Sequence, residues 1–375
     1  MINRNVVKLI DQKLEDNKVI VIQGPRQVGK TTLLKQKYDN DDTLWLNADS
    51  LDVRDRLSNP NISELRRIIG KATRVIVDEA QRVQNIGITA KLIYDEIPSV
   101  KLILTGSSAL DLASNINEPL TGRKWEYLMY PLSISEMESH HGYMTESALL
   151  NQRLIYGMYP DVINRPGEER DILTQLADSA MYKDILTWRL IKKPQQLEKL
   201  VQALAYQIGS EVSYNELSQM VGLDNETVES YIHLLEKAYI LFRLPALSRN
   251  LRNEIKKSKK IYFYDVGLRN AVINNWNPIT MRSDVGGLWE NFLIVERMKY
   301  KAYNKIYSND YFWRTHAQQE IDYVEDASGV INAYEFKWNN NKKAKWSKTF
   351  LDAYPEHKTM LVSRENYWDF VTSKI

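Results

Sequence analysis

Four short runs of aliphatic and β-branched residues mark positions 19 to 106: VIVIQ from Val19, TLWLN from Thr43, RVIVDE from Arg74 and KLILTG from Lys101. Helical stretches separate them. This alternation predicts an α/β unit, a parallel sheet with crossover helices, which is a nucleotide-binding architecture. From about residue 127 to 190 the strand signal fades. Amphipathic helical patterns replace it, as in DILTQLADSAMYKDIL, and predict a small helical lid. Between residues 195 and 266 the order becomes helix (LEKLVQALAYQIGS), short helix (YNELSQMVG), helix (ETVESYIHLLEKAY), then strands ILFRL and KIYFYD. Three helices followed by a β-ribbon is the order of a winged helix. After Gly286 a helix (LWENFLIVERMKY) leads into strands YFWRT, EIDYVED and VINAYEFKW, a compact α/β tail.

Composition narrows the class without fixing it. A chain of 375 residues, 43% of them hydrophobic, can bury a sizeable core and suggests two or three domains. With no cysteine there are no disulfides and no thiolate zinc sites, which fits a cytoplasmic location. The first eighteen residues are charged throughout and lack the apolar stretch of a signal peptide. No run approaches the roughly 18 apolar residues of a membrane helix, so no membrane contact is expected. A net charge of +2 conceals one local imbalance: residues 249–260 carry six basic side chains against the single acid Glu254.

The first chemistry lies directly after the 19–22 strand. Gly24-Pro25-Arg26-Gln27-Val28-Gly29-Lys30-Thr31 follows the G-x-x-x-x-G-K-[ST] pattern, with Thr32 adjoining, and a helix is expected from Lys30. Glycines let backbone amides approach phosphates closely, and the helix start adds the positive end of its dipole. Lys30 then reaches the β- and γ-phosphates, and the Thr31 hydroxyl is offered to magnesium, so ATP and magnesium are the expected ligands. The 74–79 run ends in Asp78, expected in the magnesium shell, and Glu79, placed to polarise the attacking water. An extra strand at 43–47 is expected between the P-loop strand and Asp78, as in ATPases that use a catalytic glutamate. After the 101–104 strand, Thr105 is the first choice for a polar sensor of the γ-phosphate, Ser107 the second. Arg123, in Leu120-Thr121-Gly122-Arg123, reads either as an arginine finger reaching a neighbouring subunit or as a plain surface arginine.

The succession QGPRQVGKTT, VIVDEAQRV, LILTGSS, LTGR, MYPLSISE, GMYPDVI, KIYFYDVGLRN and GGLWENFLIVE resembles a prokaryotic AAA-type ATPase family with a restriction-endonuclease-like carboxyl-terminal domain. The resemblance spans nearly the whole chain. It implies an ATPase core at 1–125, a helical lid at 126–193, a winged helix at 194–270 and a nuclease-like domain at 271–375.

A winged helix suggests DNA, read by its third helix in the major groove. Here Val228, Tyr231, Leu234 and Leu235 are expected to face the core, which leaves Glu226, Glu229 and Glu236 outward, with Lys237 and His233 a partial offset. Three carboxylates repel phosphates. The basic run 249–260 falls where the wing should lie and is suited to grip a backbone without reading bases. Docking between the other modules is the competing role.

PD-(D/E)xK nucleases need acids that hold magnesium and a lysine that positions or activates water. Glu290 on the preceding helix, Asp322 in Glu320-Ile321-Asp322, and Glu335 with Lys337 supply those types, and strand alternation puts Glu335 and Lys337 on one face. They form a possible second magnesium site, although charged residues on an exposed strand face are common and the resemblance adds fold more than cleavage. Lys342, Lys343, Lys345 and Trp346 are suited to track a nucleic-acid strand, or form a solvated face. Three outputs follow: an ATP-fuelled DNA-handling enzyme, a nucleotide-dependent switch that binds a protein partner, or a homo-oligomeric, hexameric remodelling motor in which Arg123 acts across subunits.

Overall fold

The computed structural model describes residues 2–107, 116–179, 191–248, 259–315, 317–339 and 344–373. Ser108, most of the basic run (249–258), Lys342 and Lys343, and the end of the DILTQLADSAMYKDIL stretch from residue 180 lie outside the described residues. The chain divides into two compact units, one formed by residues 3–131 with 237–239, the other by 132–236 with 240–375.

The first unit is built on five parallel strands: β1 (Val19–Gln23), β2 (Thr43–Asn47), β3 (Arg74–Asp78), β4 (Lys101–Gly106) and β5 (Lys124–Leu128), in the order β2-β3-β4-β1-β5. β1 is buried along its whole length, as its unbroken aliphatic run requires. Val19, Val21, Val75, Val77, Leu102 and Leu104 form one core with Leu65, Ile86, Ala90 and Ile93 of the flanking helices. One expected placement is corrected. The strand between β1 and β3 is β4, and Thr43–Asn47 lies at the sheet edge, paired only with β3 and half-buried. β5 adds a fifth strand that spans the expected division at 125, so the unit continues to residue 131.

The second unit begins with helices Ile134–His141, Tyr143–Ala148, Leu150–Tyr156, Pro160–Asn164 and Glu169–Asp178. Helix Pro194–Tyr206, a two-residue strand β6 (Glu211–Val212), helices Tyr214–Val221 and Asn225–Lys237, and strands β7 (Leu241–Pro245) and β8 (Lys259–Phe263) follow, with the strands in antiparallel order β6-β8-β7. The expected three helices and two strands are present, and β6 is added. The 20-residue helix Val285–Asn304 leads into β9 (Asn309–Arg314), β10 (Glu320–Ala327) and β11 (Val330–Phe336), an antiparallel meander joined in parallel by β12 (His357–Val362). Trp289, Phe292 and Leu293 of the helix share a core with Tyr323, Tyr334, Phe336 and Phe370. No described helix is long and apolar enough to cross a membrane.

Candidate functional site

In the first unit the chemistry gathers at the carboxyl ends of the central strands. β1 stops at Gln23, whose carbonyl accepts the amide of Met129 at 2.7 Å. That bond seats the Met129 backbone on Gly24. A Cβ at Gly24, where φ is +151°, would meet the Met129 carbonyl oxygen at 2.1 Å, so only glycine fits. Gly29, at φ +92°, opens the helix Lys30–Tyr38 with no side-chain cap, which leaves the first-turn amides for a ligand. Lys30 is buried, and its ammonium donates to the carbonyls of Gly24 at 2.7 Å and Pro25 at 2.8 Å. The lysine thus lies folded over the loop it belongs to.

A line of hydrogen bonds joins the loop to its neighbouring strands. The Thr31 hydroxyl donates to Asp78 Oδ2 at 2.8 Å, the Thr105 hydroxyl donates to Asp78 Oδ1 at 2.5 Å, and the Glu79 amide donates to Thr105 Oγ1 at 3.1 Å. Asp78 and Thr105 are both buried. Glu79 turns away from β3 at φ +53°, and its Oε2 accepts from Gln81 Nε2 at 2.5 Å and from Ser107 Oγ at 3.3 Å. Of the two residues considered as sensors, Thr105 is engaged with the Asp78 carboxylate, whereas Ser107 stands beside that of Glu79. The Thr31 hydroxyl and the Asp78 carboxylate are hard oxygen donors in mutual contact. They fit magnesium, which uses one or two protein oxygens and takes the rest of its shell from phosphates and water.

Two features of this site escape sequence reasoning. Arg4 is buried, and its guanidinium donates to the carbonyl of Val28 in the loop at 2.7 Å and to that of Tyr130 at 2.6 Å. Gln81 holds Glu79, with only the nearness of the two in sequence to suggest it. Arg123, conversely, is not part of the gathering. Lys124 pairs with Val19 and Leu128 with Gln23, so Arg123 lies at the opposite end of β1 from the loop. Four residues of strand put it roughly 13 Å away. Its guanidinium binds Asp95 Oδ1 at 3.1 Å, so within its own chain it stands away from the loop, as either reading of it, surface arginine or finger toward a neighbouring subunit, allows.

The second expected cluster does come together in the second unit. Lys337 Nζ lies 2.6 Å from Glu335 Oε2 and 3.6 Å from Asp322 Oδ2. Asp322 Oδ2 also accepts the Phe336 amide at 2.7 Å. Glu290 Oε1 accepts from Lys260 Nζ at 2.9 Å and from the Tyr262 hydroxyl. Lys260 reaches Glu320 Oε1 at 2.5 Å as well. Burial pushes the Glu290 carboxyl up to about 7, with the Asp322 charge adding to it against the pull of Lys260. Burial and Asp322 likewise push Glu335 up to about 7. Burial would lower the Lys260 ammonium, but Glu290, Glu320 and Asp322 reverse this and hold it above the ordinary lysine range.

Glu290, Asp322 and Glu335, expected as a second magnesium site, thus each have an oxygen engaged by a donor of the protein. Among the described residues no three acids or histidines are disposed to hold a metal ion, and here two ammonium groups sit between the acids. Lys260 also leaves the basic run expected to grip a backbone, because only 1% of it is exposed. The quoted motifs YDVGLRN and GMYPDV turn out to form an internal joint. Asp265 accepts the amides of Met158 and Leu268, and Asn270 donates to the Leu154 and Ile155 carbonyls.

Comparison with known proteins places these units among others. A family model described as an AAA domain matches residues 16–138, and two domains of unknown function match 147–278 and 285–370. An uncharacterized protein of Mycobacterium tuberculosis is 24% identical over 347 residues, covering 89% of this chain and 73% of that one. One from Haemophilus influenzae is 25% identical over 358 residues, 87% of each chain. Among solved structures, a Walker-type ATPase of Pyrococcus abyssi aligns with a TM-score of 0.50 at 14% identity, over 71% of this chain and 94% of that chain. The fold is shared with that protein, and the AAA-domain match supports an AAA-type P-loop ATPase.

Proposed function

We propose that the chain binds ATP with magnesium at the first unit and hydrolyses it. Lys30, the main-chain amides of residues 26–32 and the Thr31 hydroxyl would receive the phosphates and their magnesium, Asp78 would hold the metal shell with Thr31, and Glu79 orients the attacking water. Magnesium supplies charge neutralisation at the phosphates when bound. The observation that carries the reading is the hydrogen-bonded line Thr31, Asp78, Thr105, Glu79, which ties the phosphate loop to both acids. Gln81 and Ser107 restrain the Glu79 carboxylate, so hydrolysis requires it to exchange them for water.

For the second unit, the three-helix and three-strand succession supports a winged helix, and the four-stranded sheet behind helix Val285–Asn304 supports a nuclease-like tail. DNA handling is one output of such modules. Two observations favour the other, a nucleotide-dependent switch that binds a protein partner. The solvent face of helix Asn225–Lys237 carries Glu226 and Glu229, while Glu236 is held by Arg243 at 2.5 Å. The tail's acids are matched by lysines.

The test is magnesium-dependent ATP turnover of the wild type and Glu79→Gln, each with and without single- and double-stranded DNA. Turnover that is lost in Glu79→Gln establishes the ATPase, and indifference to DNA selects the switch. Wild-type turnover no greater than that of Glu79→Gln would overturn the hydrolytic reading.

A further inference from the structure

The acids of the second unit are the kind that hold a divalent metal, yet they already face two ammonium groups of the protein. Lys260 projects from β8, Glu290 from helix Val285–Asn304, and Glu320 and Asp322 from β10. The ammonium of Lys260 takes Oε1 of both Glu290 and Glu320. Glu290 Oε1 also receives the Tyr262 hydroxyl, and its other oxygen lies near Gly209, where a Cβ would be 3.4 Å from it. The helix that carries Glu290 is fixed beside Gly209: a Cβ at Gly287 would meet the Ile208 carbonyl oxygen at 2.5 Å. Just past the end of β11, Lys337 takes Glu335 Oε2 and approaches Asp322. Each of the four carboxylates thus has an oxygen committed to a donor on the protein.

We propose that Lys260 is the resident cation of this site, that it holds Glu290 and Glu320 together, and that it keeps divalent metal out. This inference stands apart from the ATPase reading, because it concerns a different unit and needs no nucleotide. Magnesium demands several oxygens at about 2.0–2.1 Å in near-octahedral array, whereas these oxygens face ammonium groups at hydrogen-bond distance. A dication placed there would also meet two fixed positive charges in a largely dehydrated setting, where repulsion is poorly screened.

Manganese binding to the nucleotide-free full chain, followed by the electron paramagnetic resonance of free Mn²⁺, tests this. The wild type and Asp322→Asn are expected to give superimposable isotherms. Lys260→Met is expected to bind one additional Mn²⁺ per chain, lost again when Asp322→Asn is added. A Mn²⁺ that binds the wild type and disappears in Asp322→Asn would overturn the proposal, and this arm does not depend on whether Lys260→Met folds. So would a Lys260→Met chain with native circular dichroism that binds no additional metal.

Discussion

Arg4→Met is the substitution that most directly asks whether the phosphate loop is held in shape from behind. Methionine keeps most of the apolar stem and removes the guanidinium, so the packing change is small and the lost hydrogen bonds dominate. At least two are lost, at 2.7 Å to Val28 and 2.6 Å to Tyr130, both to buried carbonyl oxygens. Hydrogen bonds to a charged group are worth about 1.5–3 kcal/mol each, which gives about 3–6 kcal/mol for these two. If about 1.4 kcal/mol of that is spent ordering the loop, ATP affinity falls about tenfold. Arg4 touches loop backbone and not Glu79, so turnover at saturating ATP should change little. Urea denaturation, calorimetric titration with ATP and steady-state kinetics separate these effects. Arg4→Lys, whose single ammonium is less suited to serve both carbonyls, should fall between. An Arg4→Met chain as stable as the wild type and with unchanged ATP affinity would refute the reasoning.

Three further outcomes follow from the geometry. Gly24→Ala forces a Cβ against the Met129 carbonyl at a positive φ, so backbone strain of about 1–3 kcal/mol plus overpacking of similar size should abolish measurable ATP binding while the second unit keeps its own melting transition. Arg123→Ala breaks a partly exposed pair with Asp95 and should shift stability by no more than about 0.5 kcal/mol, with ATP affinity and turnover unchanged; lost turnover with binding intact would instead establish the finger role across subunits. The Glu290 carboxyl, raised from 4.5 to about 7, favours the folded state when protonated, so its contribution is full below pH 4.5 and is lost as pH rises through 7. Glu290→Gln should remove up to about 3 kcal/mol of that decline in urea titrations at pH 4.5 and 7.5, with Glu335 left to supply the rest.

The phosphate loop and the two acids after β3 were legible because their constraints are local. Eight contiguous residues define the loop, and a strand that ends in Asp78 and Glu79 announces itself in six. Lateral order is different. Nothing in TLWLN or KLILTG says which strand lies beside β1, and the choice of Thr43–Asn47 was wrong for that reason. β5 was missed because KWEYL alternates charged and aromatic residues, with Lys124 and Glu126 paired on one face, and makes no aliphatic run. Lys260 read as the end of a basic stretch, since the acids that bury it lie 30 and 60 residues further along. Arg4 sits in a segment that reads as a charged amphipathic end, and its acceptors are carbonyls, which carry no side-chain signature.

The seat of Met129 on Gly24 is made by main-chain atoms on both sides. Such a contact is blind to the identity of residue 129. In a genetic selection that starts from Gly24→Ala, no replacement of Met129 can restore the lost space, because every amino acid brings the same carbonyl. Recovered clones should be true revertants, or should carry insertions or deletions that re-route the chain between β5 and residue 131. Two segments more than a hundred residues apart are in this respect inherited as one, whatever side chains they display.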